Sequence, residues 1–266
     1  MVDLTGLLGD LRAEGDELDE LVARLPETEW ARPTPAAGWT IAHQVAHLAW
    51  TDDQALLAAT DGEAFKLATI EALAENMEPN EWVNQTAEEG ARVPPAELLE
   101  RWRSGRARLE AALAAVPDGT RLPWYGPDMT AASMATARLM ETWAHATDVF
   151  DAVGIRRAPT ARLRHVAHIG VRTRNWAYAA HNLDAPAEPF RIELVAPDGE
   201  SWTWGPQDAA QRITGPALDF CLLVTQRVHR DDTALVAVGP DADTWLDIAQ
   251  AFAGLPGDGR KPGERV

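Results

Sequence analysis

The sequence predicts an α+β protein in which a bundle of long helices precedes a smaller α/β segment. Apolar residues recur at three- and four-residue steps through roughly the first 155 residues, the spacing of a buried helical stripe. After Pro159 that spacing gives way to short alternating runs punctuated by glycine and proline, which mark strands and turns. A chain of 266 residues can hold one large domain or two modest ones. We expect a helical bundle over 1–155, a helix plus small α/β domain over 156–254, and a disordered tail over 255–266.

The first helix carries Leu4, Leu7, Leu8, Leu11, Leu18, Leu21, Val22 and Leu25, and Pro26 ends it. The second begins after Pro35-Ala36-Ala37-Gly38, with Thr40 as its N-cap, and runs to about Thr60. A third opens at Pro94-Pro95, where proline suits the first turn, and lines up Leu98, Leu99, Trp102, Leu109, Leu113 and Val116. The fourth follows a loop from Pro117 to Thr130 and runs from about Ala131 to Val153, stopped by Gly154. About 35 residues separate the second and third helices, too many for a bare loop, and segments 63–76 and 80–90 read as short extra helices. Beyond Pro159 we expect a helix from Arg162 to His181. Strands follow at 190–196 and 201–204 around a Pro197-Asp198-Gly199 turn, then a helix over 216–228, a strand over 233–238 and a helix over 243–253.

The net charge is −17, from 24 cationic and 41 acidic side chains. Such a field repels nucleic acid and anionic lipid, and no Lys/Arg block offsets it, so both are excluded as partners. No apolar run approaches the ~20 residues of a membrane span, and the N-terminus is too acidic for a signal peptide. The expected location is cytoplasmic, as a monomer or homodimer. Cys221 is the sole cysteine, which excludes an internal disulfide and a cysteine-based zinc cluster. It sits in the apolar run F-C-L-L-V and is expected to be buried and inert.

Two segments carry the chemistry. On the fourth helix, Arg138, Glu141, His145 and Asp148 fall within an arc of about 80° on one side. A solvated face would explain an isolated E-x-x-x-H, but the remaining residues here form no convincing apolar stripe of their own. On the second helix, His47 is enclosed by Val45, Ala46, Leu48 and Ala49 and should point inward. Two imidazoles and one carboxylate are a ligand set for a divalent cation with open positions, and bundles place such sites between facing helices. His47, Glu141 and His145 are therefore the candidate metal ligands. Asp148 is expected to orient an imidazole from behind, and His43 to do the same or to lie at the surface, because a fourth protein ligand would tend to close the site. Arg138 suits Glu141 or a substrate anion better than a metal.

The stretches G-W-T-I-A-H-Q-V-A-H-L and R-x-x-E-x-x-x-H-x-x-D resemble the mycothiol-dependent maleylpyruvate isomerase family, within the wider DinB-like metal-binding bundles. The loop L-P-W-Y-G-P-D-M-T resembles that family too, and the likeness covers roughly residues 5–255. It implies a DinB-like four-helix bundle followed by a small sterol-carrier-like α/β domain. It also implies a cation, usually zinc, on His47, Glu141 and His145, with mycothiol as the thiol cosubstrate. A G-R step after a helix of the second domain places an arginine near the family's active site; here that stretch is L-L-V-T-Q-R-V-H-R, which puts Arg227 there with Gln226 in place of the glycine. Arg227 and Arg138 are the candidates for holding a substrate carboxylate, and Trp124, Tyr125 and Met129 for lining the pocket mouth. A zinc-bound thiol loses its proton near neutral pH, so it could act as nucleophile in isomerisation or S-transfer. A metal-dependent hydrolase or lyase using bound water, and a non-catalytic metal-binding protein, are the alternatives.

Overall fold

The computed structural model describes residues 3–74, 79–252, 254, 256–257 and 259–264. The chain divides into two compact units, Met1–Arg156 and Arg157–Val266. The first is helical and the second carries a small mixed sheet, so the chain is α+β.

Four long helices build the first unit: α1 (Leu4–Val22), α2 (Ile41–Thr60), α5 (Pro95–Ala115) and α6 (Ala131–Ala152). Asp3 caps α1, its Oδ1 accepting from the Gly6 backbone N–H at 3.0 Å, and Thr130 caps α6 through the Ser133 N–H. Leu18, Ile41, Val45, Leu48, Leu98, Trp102 and Val149 meet in the core, each shielded from solvent. Burying each such side chain contributes about 1.5–3 kcal/mol before conformational entropy is set against it.

Two polar clamps cross this core. Arg138 on α6 donates from Nε to Asp52 Oδ1 on α2 at 2.9 Å, and Trp102 on α5 donates to Asp52 Oδ2 at 3.2 Å. Arg103 and Arg106 on α5 both reach Asp19 on α1. The long connection between α2 and α5 forms α3 (Gly62–Ala74) and α4 (Pro79–Ala91), and the part of the first expected helix beyond Ala74 lies outside the described residues. Gly90 lets α4 lie close on α2, since a Cβ there would come within 2.7 Å of the Ala46 Cβ.

In the second unit the strand order is β2-β1-β3-β4, with β1 (Phe190–Val195) parallel to β3 (Gln211–Pro216) and antiparallel to β2 (Ser201–Trp204), and β4 (Val236–Val238) antiparallel to β3. Strand β3 is absent from the sequence expectation. Its run Q-R-I-T-G-P places only Ile213 deep in the core, and pairing with β1 makes it a strand. The helix expected from Arg162 to His181 is two, α7 (Leu163–Arg172) and α8 (Arg174–Ala180), parted at Thr173. Thr173 Oγ1 lies within hydrogen-bond reach of the carbonyls of Ile169 and Gly170 and, at 2.8 Å, of Gln250. Helix α9 (Ala217–Val224) ends sooner than expected, and α10 (Pro240–Ile248) starts earlier, with proline in its first turn.

The Gly263 N–H donates to Asp232 Oδ2 at 2.8 Å, and Arg260 is buried. Leu255, Asp258, Arg265 and Val266 lie outside the described residues.

Candidate metal centre

Helices α2 and α6 cross so that His47 on one meets Glu141 and His145 on the other. The imidazole Nε2 atoms of His47 and His145 lie 3.6 and 3.3 Å from one oxygen, Glu141 Oε2. One ligand atom from each of the three lies within 4.8 Å of the others. Desolvation alone would push the Glu141 carboxyl up, but hydrogen bonding and charge from His145 and His47 outweigh it and hold the group well below the usual carboxylate range. Glu141 is therefore an ionised acceptor between two imidazoles.

A hydrogen-bond relay fixes how His145 presents itself. Thr34 Oγ1 donates to the Trp39 carbonyl at 2.9 Å and accepts from Gln44 Nε2 at 2.9 Å. That orients the buried Gln44 amide with Oε1 toward His145 Nδ1, 2.5 Å away. An amide oxygen only accepts, so Nδ1 carries a proton, and Nε2, which faces the Glu141 carboxylate, is the nitrogen that would bind a cation on losing its own. A proton held on Nδ1 is what a cation at Nε2 needs. His47 Nδ1, by contrast, is buried without a partner. The donor set and the pre-oriented imidazole fit a divalent cation with open positions.

Gln44 thus orients His145, and Asp148 is buried on α6 one turn beyond it. His43 belongs elsewhere. Its Nδ1 closes the capping box of α2 against the Thr40 backbone and hydroxyl, and its Nε2 meets Glu88 on α4 at 2.7 Å, so both ring nitrogens are engaged away from the triad. Arg138 is committed to Asp52 inside the core and contacts neither Glu141 nor the triad in its bonding. Desolvation raises the Asp52 pKa, and the hydrogen bonds and charge from Arg138 and Trp102 oppose that shift.

Aromatic rings wall the triad. Trp39 stacks on His145 with centroids 5.8 Å apart and planes 16° apart, and lies 5.3 Å from His47. Trp50, 6.1 Å from His47, continues outward to Tyr125 and Trp82, and Tyr125 in turn meets Trp124 and Phe65. Trp124 and Tyr125 therefore join the triad's surroundings through Trp50. Met129 closes the same loop, its backbone paired with that of Leu122.

Trp39, Gln44 and Trp50 are the site residues that motif reading missed, although all three lie in or next to the G-W-T-I-A-H-Q-V-A-H-L stretch. In the second unit, Arg227 Nη1 donates to the Thr225 carbonyl. Gln226 has φ = 60°, the left-handed backbone a glycine would favour. Burial pushes the Cys221 thiol up, which leaves it protonated and inert.

The fold and the triad define a helical-bundle protein with a three-donor candidate cation site and a small α/β second unit. Residues 11–150 match the family model for the mycothiol maleylpyruvate isomerase N-terminal domain, and the chain belongs to the mycothiol-dependent maleylpyruvate isomerase family. Residues 186–238 match a second model, described as wyosine base formation. Two Mycobacterium tuberculosis proteins, described as "Uncharacterized protein MT0041" and "Uncharacterized protein Rv0036c", are each 58% identical over 260 residues, covering 98% of this chain and all of theirs. The crystal structure of the mycothiol-dependent maleylpyruvate isomerase superposes with a TM-score of 0.60 at 17% identity, over 89% of this chain and 93% of that one. A point mutant of that isomerase matches equally well at 16% identity. At such identity the likeness shows the shared fold. Among the described residues no helix is long and apolar enough to cross a membrane.

Proposed function

We propose that this protein is a divalent-cation-dependent enzyme, zinc being the cation that suits the donor set, in which mycothiol is the nucleophile for isomerisation or S-transfer on a small carboxylate-bearing substrate. The observation that carries this reading is the convergence of His47, Glu141 and His145, with the His145 Nδ1 proton held by Gln44. When bound there, the cation supplies positive charge that acidifies a thiol at an open position. Glu141 contributes the negative charge, and Gln44 keeps the His145 proton away from the site. Trp39 and Trp50 shield one side from water. Their indoles offer no general base to activate a water molecule, which favours the thiol over the hydrolytic reading.

In the isomerisation, the thiolate sulfur forms a C–S bond to an activated alkene and the π pair moves onto the conjugated carbonyl. Rotation and return of that pair then expel the thiolate and leave the other geometric isomer. Protonation of the adduct instead gives the S-transfer product. Trp124 and Tyr125 are the residues we assign to the pocket mouth.

Metal analysis of the purified protein should find about one cation per chain, and most of it should be lost in His47→Ala and His145→Ala. Full occupancy in both variants would remove the assignment. Cobalt-loaded protein titrated with mycothiol should develop a thiolate-to-metal absorption band; no band with cobalt in place would turn the reading to hydrolysis.

A further inference from the structure

Between Asp151 and Asp184 the chain carries six arginines, three histidines and no carboxylate, although the whole protein is strongly acidic. Arg164, His168 and Arg172 stand four residues apart on α7 and share one face. That face meets β2. The Arg164 guanidinium lies 6.0 Å over the Trp202 ring, and Trp204 Nε1 donates to His168 Nδ1 at 3.3 Å. An indole N–H only donates, so His168 is neutral with its proton on Nε2. Burial lowers the His168 pKa, and repulsion from Arg172, His165 and Arg164 adds to the effect.

Beside Arg172 a cavity of about 330 Å³ opens within the second unit, between α7, α8 and the β1–β2 edge. Arg172 has no hydrogen-bond or ion-pair partner among the described residues. Arg174 is fixed in the wall, bonded to Asn175 Oδ1 and to the carbonyls of Glu188 and Pro186, with its guanidinium 4.4 Å over the Phe190 ring. It too has no carboxylate bonded to it. Trp245 also lines the cavity; it is 1% exposed and its indole N–H has no acceptor.

The polar side chains of this wall are thus all donors. The Asn175 oxygen is taken by Arg174, which leaves its NH₂, and Trp204 donates to His168. A buried donor without an acceptor costs about 1–3 kcal/mol, so a wall of donors calls for an occupant that accepts. The other surfaces are the rings of Phe190, Trp204 and Trp245, which suit a flat apolar body.

We propose that the second unit holds a binding site, separate from the cation triad, for a small anion with a flat apolar body, an aromatic carboxylate, with Arg172 as its principal charged partner. The test is calorimetric titration of the full chain with 2-naphthoate, with EDTA present so that no metal competes for the carboxylate. One saturable site per chain is expected. Arg172→Met should weaken it about ten-fold, the loss of one charge-assisted hydrogen bond. Arg164→Met, on the same stripe but off the cavity, should leave it unchanged, and 2-naphthylmethanol, which lacks the charge, should bind about ten-fold more weakly than 2-naphthoate. Absence of saturable binding, equal affinity in Arg172→Met, equal losses in the two variants, or equal affinity for the alcohol would each overturn the proposal. Inorganic phosphate binding as tightly as 2-naphthoate would also overturn it, because the aromatic wall would then contribute nothing.

Discussion

Replacing Gln44 by leucine removes the acceptor that keeps the proton on His145 Nδ1. Such outer partners are worth about 10–100-fold in cation affinity, so Gln44→Leu should weaken zinc binding by that factor, measured by competition with a chromogenic chelator. Gln44→Glu keeps an acceptor and should retain most of the affinity; an equal loss in both variants would mean that Gln44 serves packing alone. Arg138 belongs to a different balance. Arg138→Met strands a buried Asp52 and should cost about 3–5 kcal/mol in urea unfolding at pH 7, most of which Asp52→Leu on the same chain should restore. If Arg138 instead held substrate, stability would stay put and turnover would fall. Glu141 and His145 were legible because ionisable groups on a helical stripe contradict the usual apolar face, and His47 because an apolar run encloses it. Gln44 and Trp39 were not, since both are uncharged and meet a histidine more than a hundred residues away only after folding. The same gap misled the reading of Arg138: nothing in its own helix points to Asp52, 86 residues earlier.

Local chemistry made most helices readable, where caps and prolines sit beside the segment they begin or end. Thr40 before α2 and the Pro94-Pro95 pair before α5 behave in this way. Strand β3 does not, because its identity comes from parallel pairing with β1 roughly twenty residues back. At the end of α9 the Arg227 and Gln226 backbone N–H groups donate to the Leu222 and Leu223 carbonyls, a Schellman closure that demands the left-handed backbone at Gln226. A glycine adopts it without steric cost, so Gln226→Gly should stabilise the protein by up to about 1 kcal/mol in denaturant unfolding. Destabilisation would show that the Gln226 side chain matters more than its backbone.

Across the whole chain the change from helical period to strand period located the passage from bundle to sheet, because each period reports which side of an element is buried. What each unit does with its charges was hidden, since composition averages a strongly acidic chain with a basic stretch inside it. Zinc added to metal-free protein should slow amide hydrogen exchange in α2 and α6 and leave β1–β4 unchanged. Equal slowing in the sheet would place the cation's influence outside the triad. The sheet has one further consequence. Its outermost members, β2 and β4, span four and three residues, so few unpaired backbone groups are offered along either margin. Strands this brief give a neighbouring molecule little to zip onto, which guards a concentrated solution against fibrous association.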